Sequence, residues 1–205
     1  MFAILAVAGC TGGGTAAPTA TPGVVGSGAP VIVPGRPGEP ARTAAPGEKV
    51  NTGVAAANAA DIRFVQMMIP HHQQALEMTA LVKDRTTNKA LRGLAERISA
   101  AQTGEIAFMR TWLRTRSLPV DRGHTGHGAA QMPGMATDGQ LEKLRDADGA
   151  AFDRQFLQLM IVHHQGALTM AAEVLKSGAE ATAYRMALDV NASQGVEIRR
   201  MQGML

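Results

Sequence analysis

The chain has 205 residues, a formal net charge of +3, one tryptophan, one tyrosine and one cysteine. Its basic residues are scattered among acids with no run that would track a phosphate backbone, which argues against nucleic-acid binding, and a lone cysteine excludes an intramolecular disulfide. No stretch of about 20 apolar residues occurs, so none is expected to cross a bilayer as a helix.

Met1 to Cys10 is an apolar run ending in Val7-Ala8-Gly9-Cys10. It resembles a bacterial lipobox, in which small residues precede a cysteine that is acylated after cleavage. The usual positive n-region is missing, so residues 1–10 read as a truncated lipoprotein signal with the start codon assigned too far downstream. The alternative is an irregular N-terminus with a chance cysteine. Seven of the ten prolines fall between Thr11 and Val50, together with much of the glycine, alanine and threonine. Such a composition buries too little apolar area to offset its ordering entropy, so residues 11–57 read as a disordered tether. The remaining residues, 58–205, suffice for one helical domain with its own core.

Within that domain apolar residues recur at spacings of three and four, the pattern of amphipathic helices. The first helix is expected to start near Asn58 or Asp61 and run to about Lys83, with a kink or a restart at Pro70. The second is expected from an Asn88 cap to a point before Pro119. Arg122 to Met135, RGHTGHGAAQMPGM, is glycine-rich and reads as a loop. Thr137 and Gln140 form a capping box for a short helix broken near Gly149. A third main helix follows to Lys176, and a fourth covers about Ala179 to Gly203.

Asp61 to Met78, DIRFVQMMIPHHQQALEM, has a near-copy 92 residues later at Asp153 to Met170, DRQFLQLMIVHHQGALTM, with eleven identical places. The duplication extends to Gln102, Glu105, Ile106 and Met109, which match Gln194, Glu197, Ile198 and Met201 at the same offset. The repeats, about 58–116 and 150–205, are thus two helical hairpins flanking a central His/Met loop at 122–136. The fold expected is all-α: an up-and-down four-helix bundle made from a duplicated hairpin.

At 100° per residue, Phe64, Met68, His71, Ala75 and Met78 form one stripe, as do Phe156, Met160, His163, Ala167 and Met170. His72 and His164 lie about 100° around, on the flank. On the second helix of each repeat, Gln102, Glu105 and Met109 share a face, as do Gln194, Glu197 and Met201. Glu105 and Glu197 are therefore expected to hydrogen-bond His71 and His163, as a shell behind a metal ligand does, or to join them in a site; Met109 and Met201 belong to the same supporting group. Methionines at helical spacing also serve as plain core packing, and a buried histidine as a satisfied polar group. In the loop, His124, His127, Met132 and Met135 supply imidazole and thioether without thiolate, a donor set that favours copper, particularly Cu(I), over zinc or magnesium. A glycine-rich linker with incidental histidines is the alternative there.

MIPHHQQALEM, MIVHHQGALTM and the intervening MPGM resemble the bacterial family called domain of unknown function 305, over about Asn58 to the C-terminus. The resemblance implies a ferritin-like four-helix fold and, for some members, copper binding in the envelope. Carried over to this sequence it implicates His71, His72, Met78, His163, His164 and Met170 with the His and Met residues of the loop. A di-iron oxidase is not expected, because Glu-x-x-His is missing: Phe108 stands three residues after Glu105, and Arg200 after Glu197. No catalytic triad, phosphate loop or redox cysteine pair is visible, so no enzyme is expected. The reading is a copper-binding protein held outside the cytoplasm by a lipid on Cys10, acting as buffer, scavenger or chaperone. The alternative is a metal-free helical module whose partner is another envelope protein.

Overall fold

The computed structural model describes residues 23–24, 31–33, 35, 38–50, 55–120 and 132–205. Cys10, His124 and His127 lie outside the described residues. The chain forms two compact units, one comprising residues 1–33 and 42–53 and the other residues 34–41 and 54–205.

The described strands of the first unit lie within residues 11–57, the stretch expected to be a disordered tether, and form short antiparallel pairings. Strand β1 (Gly23–Val24) pairs with β4 (Lys49–Val50), and β2 (Ile32–Val33) with β3 (Arg42–Thr43). The Ala44 N–H donates to the Val31 carbonyl, and Arg42 makes an exposed ion pair with Glu48 at 2.6 Å. Two-residue pairings sum to little pattern in a sequence, which is why composition did not reveal them.

Among its described residues the second unit has five helices: α1 (Ala59–Arg85), α2 (Lys89–Arg114), α3 (Asp138–Asp146), α4 (Gly149–Ser177) and α5 (Ala181–Gln202). The expected caps form. The Asn58 side chain accepts from the N–H groups of Ala60 and Asp61 while Asp61 accepts from the Asn58 N–H; Thr137 and Gln140 form a reciprocal box at α3, and at α2 the Asn88 side chain accepts from the Ala90 and Leu91 N–H groups. Glu180 caps α5, so that helix begins at Ala181 rather than Ala179. Pro70 neither ends nor restarts α1, which runs on through it. The loss of one backbone hydrogen bond there is outweighed by the burial of residues on both sides, from Phe64 to Val82.

Helices α1 and α2 form one hairpin, α4 and α5 the other, and α1 lies antiparallel against α4 at the centre. The core divides into two apolar clusters. One joins the second half of α1 and first half of α2 to the first half of α4 and last turns of α5, including Met78, Leu94, Ile98, Phe156, Met160 and Met201. The other joins the complementary halves, including Phe64, Met68, Met109, Trp112, Met170 and Met186. The 92-residue offset carries Met78 to Met170, Met68 to Met160 and Met109 to Met201, so exchanging the hairpins exchanges the clusters. The duplicated sequence has become an approximate two-fold axis, and the histidine pairs lie between the clusters.

Asp61, fully buried, accepts from the N–H groups of Ala179 and Glu180 and so ties the start of α1 to the turn between α4 and α5. Its repeat counterpart Asp153 accepts from the Asn88 side chain at the other turn. Glu180 accepts from Trp112 Nε1–H at 3.0 Å and from Arg116 at 3.1 Å. Burial would raise the Glu180 carboxyl, but hydrogen bonds from the Ala183 N–H and the Trp112 indole hold it below the usual range.

Candidate metal centre

All four histidines of the duplicated motif are fully buried, at 0% exposure. The rings of His71 and His163 meet where α1 crosses α4, with centroids 3.7 Å apart and planes inclined at 32°. His72 and His164 point to the other helix of their own hairpin. His72 Nε2–H donates to Glu105 Oε2 at 2.6 Å, and His164 Nε2–H to Glu197 Oε2 at 2.7 Å.

This corrects the expected pairing of Glu105 with His71 and Glu197 with His163. The second histidine of each pair is turned about 100° from the α1–α4 interface, and that direction faces α2 or α5 rather than solvent. The flank is covered, and the carboxylate there takes the flanking imidazole. Glu105 and Glu197 retain side-chain exposures of 32% and 19%, so each carboxylate bridges from solvent to a buried ring.

The loop segment Met132 to Ala136 joins this layer. His71 Nε2–H donates to the Pro133 carbonyl at 3.1 Å. Gln74 grips Ala136 twice, its Nε2 donating to the Ala136 carbonyl at 2.8 Å and its Oε1 accepting from the Ala136 N–H at 2.7 Å. At the matching place in the second repeat stands Gly166, where a Cβ would lie 1.9 Å from the Pro133 carbonyl oxygen. Gly134, with φ of +78°, makes the turn, and a Cβ there would fall 2.5 Å from the Val162 carbonyl oxygen. The one difference inside the duplicated His-His-Gln-x motif, Gln74 against Gly166, is thus what seats the loop on one side of the two-fold axis. Met132 is buried and Met135 half-buried.

An acceptor on Nε2 fixes the ring tautomer. Carboxylate on His72 and His164, and carbonyl on His71, place the proton on Nε2, so in the neutral rings Nδ1 keeps its lone pair. Those Nδ1 atoms, and both ring nitrogens of His163, are buried without a hydrogen-bond partner. Burial, and secondarily the charge that His72 would carry, push His71 down to about 3, opposed by its bond to Pro133. His163 is lowered well below the ordinary histidine range, first by burial and then by the neighbouring imidazoles, with a smaller opposing contribution from the His71 backbone. Both rings are therefore neutral at physiological pH, the form in which imidazole binds metals. Gln102 and Gln194, also related by the repeat and also buried, leave both amide atoms unpaired. Each stands one turn before its glutamate, Glu105 or Glu197, on the same helix face, which is the signal the sequence holds for it.

Met78, Met160 and Met201 lie in one flanking cluster and Met68, Met109 and Met170 in the other, so thioethers border the imidazole layer on both sides. Among the described residues, no three His, Cys, Asp or Glu side chains converge as the ligands of one metal ion. Neutral imidazoles and thioethers are donors that suit soft cations better than hard ones.

The family profile described as Domain of unknown function (DUF305) matches residues 61–205. The chain belongs to the DUF305 family. Among solved structures it is similar to a DUF305 fragment from Deinococcus radiodurans, with a TM-score of 0.67 and 33% identity over 72% of this chain and 96% of that one. It is also similar to a DUF305 protein of Streptomyces coelicolor named as a candidate secreted protein, with a TM-score of 0.66 and 36% identity over 71% and 91% of the two chains. A third is CopM in its Cu(II)-bound form, with a TM-score of 0.60 and 34% identity over 70% and 94%. CopM has also been solved with Cu(I) and with silver. A search of curated proteins gives no match. As a DUF305 protein the chain has the all-helical bundle that the sequence resemblance implied. Among the described residues no helix is long and apolar enough to cross a membrane.

Proposed function

We propose that this DUF305 protein binds copper, as Cu(I), in the layer between its two hairpins, and serves as a buffer, scavenger or chaperone rather than an enzyme. The observation that carries the reading is the set of five buried imidazole nitrogens, on His71, His72, His163 and His164, that have no hydrogen-bond partner. Buried polar atoms are normally paired, because leaving one unpaired costs roughly 1–3 kcal/mol. A soft cation would satisfy several at once, and bound copper would supply Lewis acidity and one-electron chemistry. His71 and His163 would be its principal ligands, with His72 and His164 beside them, their orientation fixed by Glu105 and Glu197. Met78 and Met170 are the candidate thioethers. Similarity to CopM, solved with copper and silver, supports the choice of metal.

His124, His127, Met132 and Met135 form a second candidate group, with Met132 and Met135 seated beside the layer by Gln74 and Gly166. Acylation of Cys10 would hold the domain on the outer side of a bacterial membrane.

A Cu(I) competition titration against a chelator tests the reading. Wild type should bind with sub-micromolar affinity or better, and Zn²⁺ more weakly. Replacing His71 and His163 with glutamine should remove one class of copper; replacing His124, His127, Met132 and Met135 together should remove another while leaving helix content intact. Identical, weak curves for all three proteins would overturn it. The absence of three converging imidazole, thiol or carboxylate groups among the described residues favours the metal-free interaction module as the account that would then remain.

A further inference from the structure

The two-fold relation between the hairpins is broken on the face where α2 meets α5. A groove of about 320 Å³, open to solvent, runs there between the helices. Its lining includes Gly104, Glu105, Met109, Met186 and Asp189, with Phe108 at its rim. Met109 and Met186 are nearly buried, at 3% and 8% exposure, whereas Asp189 is exposed and Glu105 partly so. The groove therefore has a thioether floor and a carboxylate mouth. Glu105 is also the residue whose other face holds His72, at 2.6 Å.

The repeat offset supplies a control within the same molecule. Around Glu197, the places of Gly104, Phe108, Met186 and Asp189 are taken by Val196, Arg200, Leu94 and Arg97. Where one face has an open helix backbone, a thioether and a carboxylate, the other has a valine, a leucine and two guanidinium groups. A cation approaching the first face meets negative charge and then sulfur; one approaching the second meets like charge. A larger groove, of about 720 Å³ between α1 and α2, is lined by Lys83, Arg92 and Glu96 with small and apolar residues, and includes no methionine and none of the four imidazoles.

We propose that the α2–α5 groove is an intake site for a soft monovalent cation, which Glu105 and Asp189 attract and the thioethers of Met109 and Met186 hold on its way to the imidazole layer. Thioether selects soft ions over the Na⁺, K⁺ and Mg²⁺ that carboxylates alone would also attract. Glu105, partly exposed and hydrogen-bonded to His72, links solvent to a motif imidazole. The inference rests on the metal-binding reading for the destination of the ion, while the groove itself stands on its own residues.

Ag⁺ is the probe, since it is diamagnetic and soft. In the full chain with ¹³C-methyl methionine, substoichiometric Ag⁺ should shift the Met109 and Met186 methyl resonances. Two variants give the groove the character of its counterpart: Gly104→Val and Asp189→Arg. A Cβ at Gly104 meets nothing within 4 Å, and Asp189 is exposed, so both should fold as wild type does. Each should slow Ag⁺ uptake at the histidines at least tenfold, read from stopped-flow mixing, with final stoichiometry unchanged. The mirror variants Val196→Ala and Arg97→Ala should leave the rate within about twofold of wild type. Unshifted Met109 and Met186 methyls, or uptake rates unchanged in both groove variants, would overturn the intake site even if the histidines bind silver. Groove methyls that shift while no imidazole responds would instead uphold the groove as a cation site and remove the histidine layer as its destination.

Discussion

His71 and His163, 92 residues apart in sequence, stack at 3.7 Å where the two central helices cross, and neither ring is exposed. Each is therefore a base whose proton affinity has been reduced by folding, His71 to about 3 and His163 in the same direction.

The sign of the resulting pH dependence follows directly. Unfolded histidines take up protons as pH falls through roughly 6.5, whereas folded His71 resists until about 3 and His163 is likewise lowered well below the ordinary range, so the unfolded state binds more protons in between and stability falls with pH. The stability is fully present above about pH 6.5 and is lost progressively below it. For the metal-free protein, going from about pH 7 to about pH 5 should cost on the order of 2 kcal/mol for His71, with a further loss in the same direction from His163. Chemical denaturation at the two pH values should show the loss, and the double variant His71→Gln/His163→Gln should show a much flatter profile. Equal slopes in both proteins would mean that these rings are not buried neutral.

Glu197→Ala should act on His164, not on His163. The substitution removes the acceptor that fixes the proton on His164 Nε2, leaves the ring free to change tautomer, and should lower stability by about 1–3 kcal/mol. Glu197→Gln keeps an oxygen acceptor and should preserve the tautomer. Ring ¹⁵N shifts at neutral pH report both effects. A response confined to His163 would restore the pairing expected from sequence alone.

Helix boundaries were legible because their signals are local: Asn58, Asn88 and Thr137 cap helices through contacts with residues two or three places on. The two-hairpin architecture was legible because the duplication repeats everything at one offset. Histidine partnership was not, since a helical wheel gives the angle of a side chain but not which neighbouring helix covers that angle. Seating of the loop was equally out of reach. It depends on a Gln74 side chain reading the backbone of Ala136 and on a missing Cβ at Gly166, contacts between segments about 60 and 30 residues apart. The strand pairings between Gly23 and Val50 are too short to leave a periodicity.

Gly166→Ala tests the loop directly. Its Cβ would collide with backbone, the Pro133 carbonyl, which has no rotamer through which to yield. The Met132 to Ala136 segment must then shift, His71 loses its acceptor, and a cost of about 1–3 kcal/mol is expected from overpacking. Gln165→Ala, one residue earlier and exposed, should cost little. Thermal melts of the two variants, with the His71 ring shifts as a local readout, give the comparison; a Gly166→Ala protein with wild-type stability and an unmoved His71 would show that the loop is not held here.

The helical domain should fold without the residues before it, and the reason lies in how its first turn is held. Among the described residues, neither large apolar cluster includes any earlier than Ala57, and Asn58 closes α1 with its own side chain. A fragment beginning at Ala55 should therefore melt within a few degrees of the full chain. Within that fragment the first turn is not dispensable, because Asp61 receives the N–H groups of Asn58, Ala179 and Glu180 in a fully buried place. Asp61→Ala would leave the Ala179 and Glu180 donors at the α4–α5 turn unpaired, at about 1–3 kcal/mol for each such group that stays buried. Differential scanning calorimetry on the full chain, the fragment and the Asp61→Ala fragment separates the two statements. A fragment that melts many degrees below the full chain would mean that residues before Ala55 support the bundle. An Asp61→Ala fragment as stable as its parent would mean that the Asp61 tie adds nothing to the joining of the two hairpins.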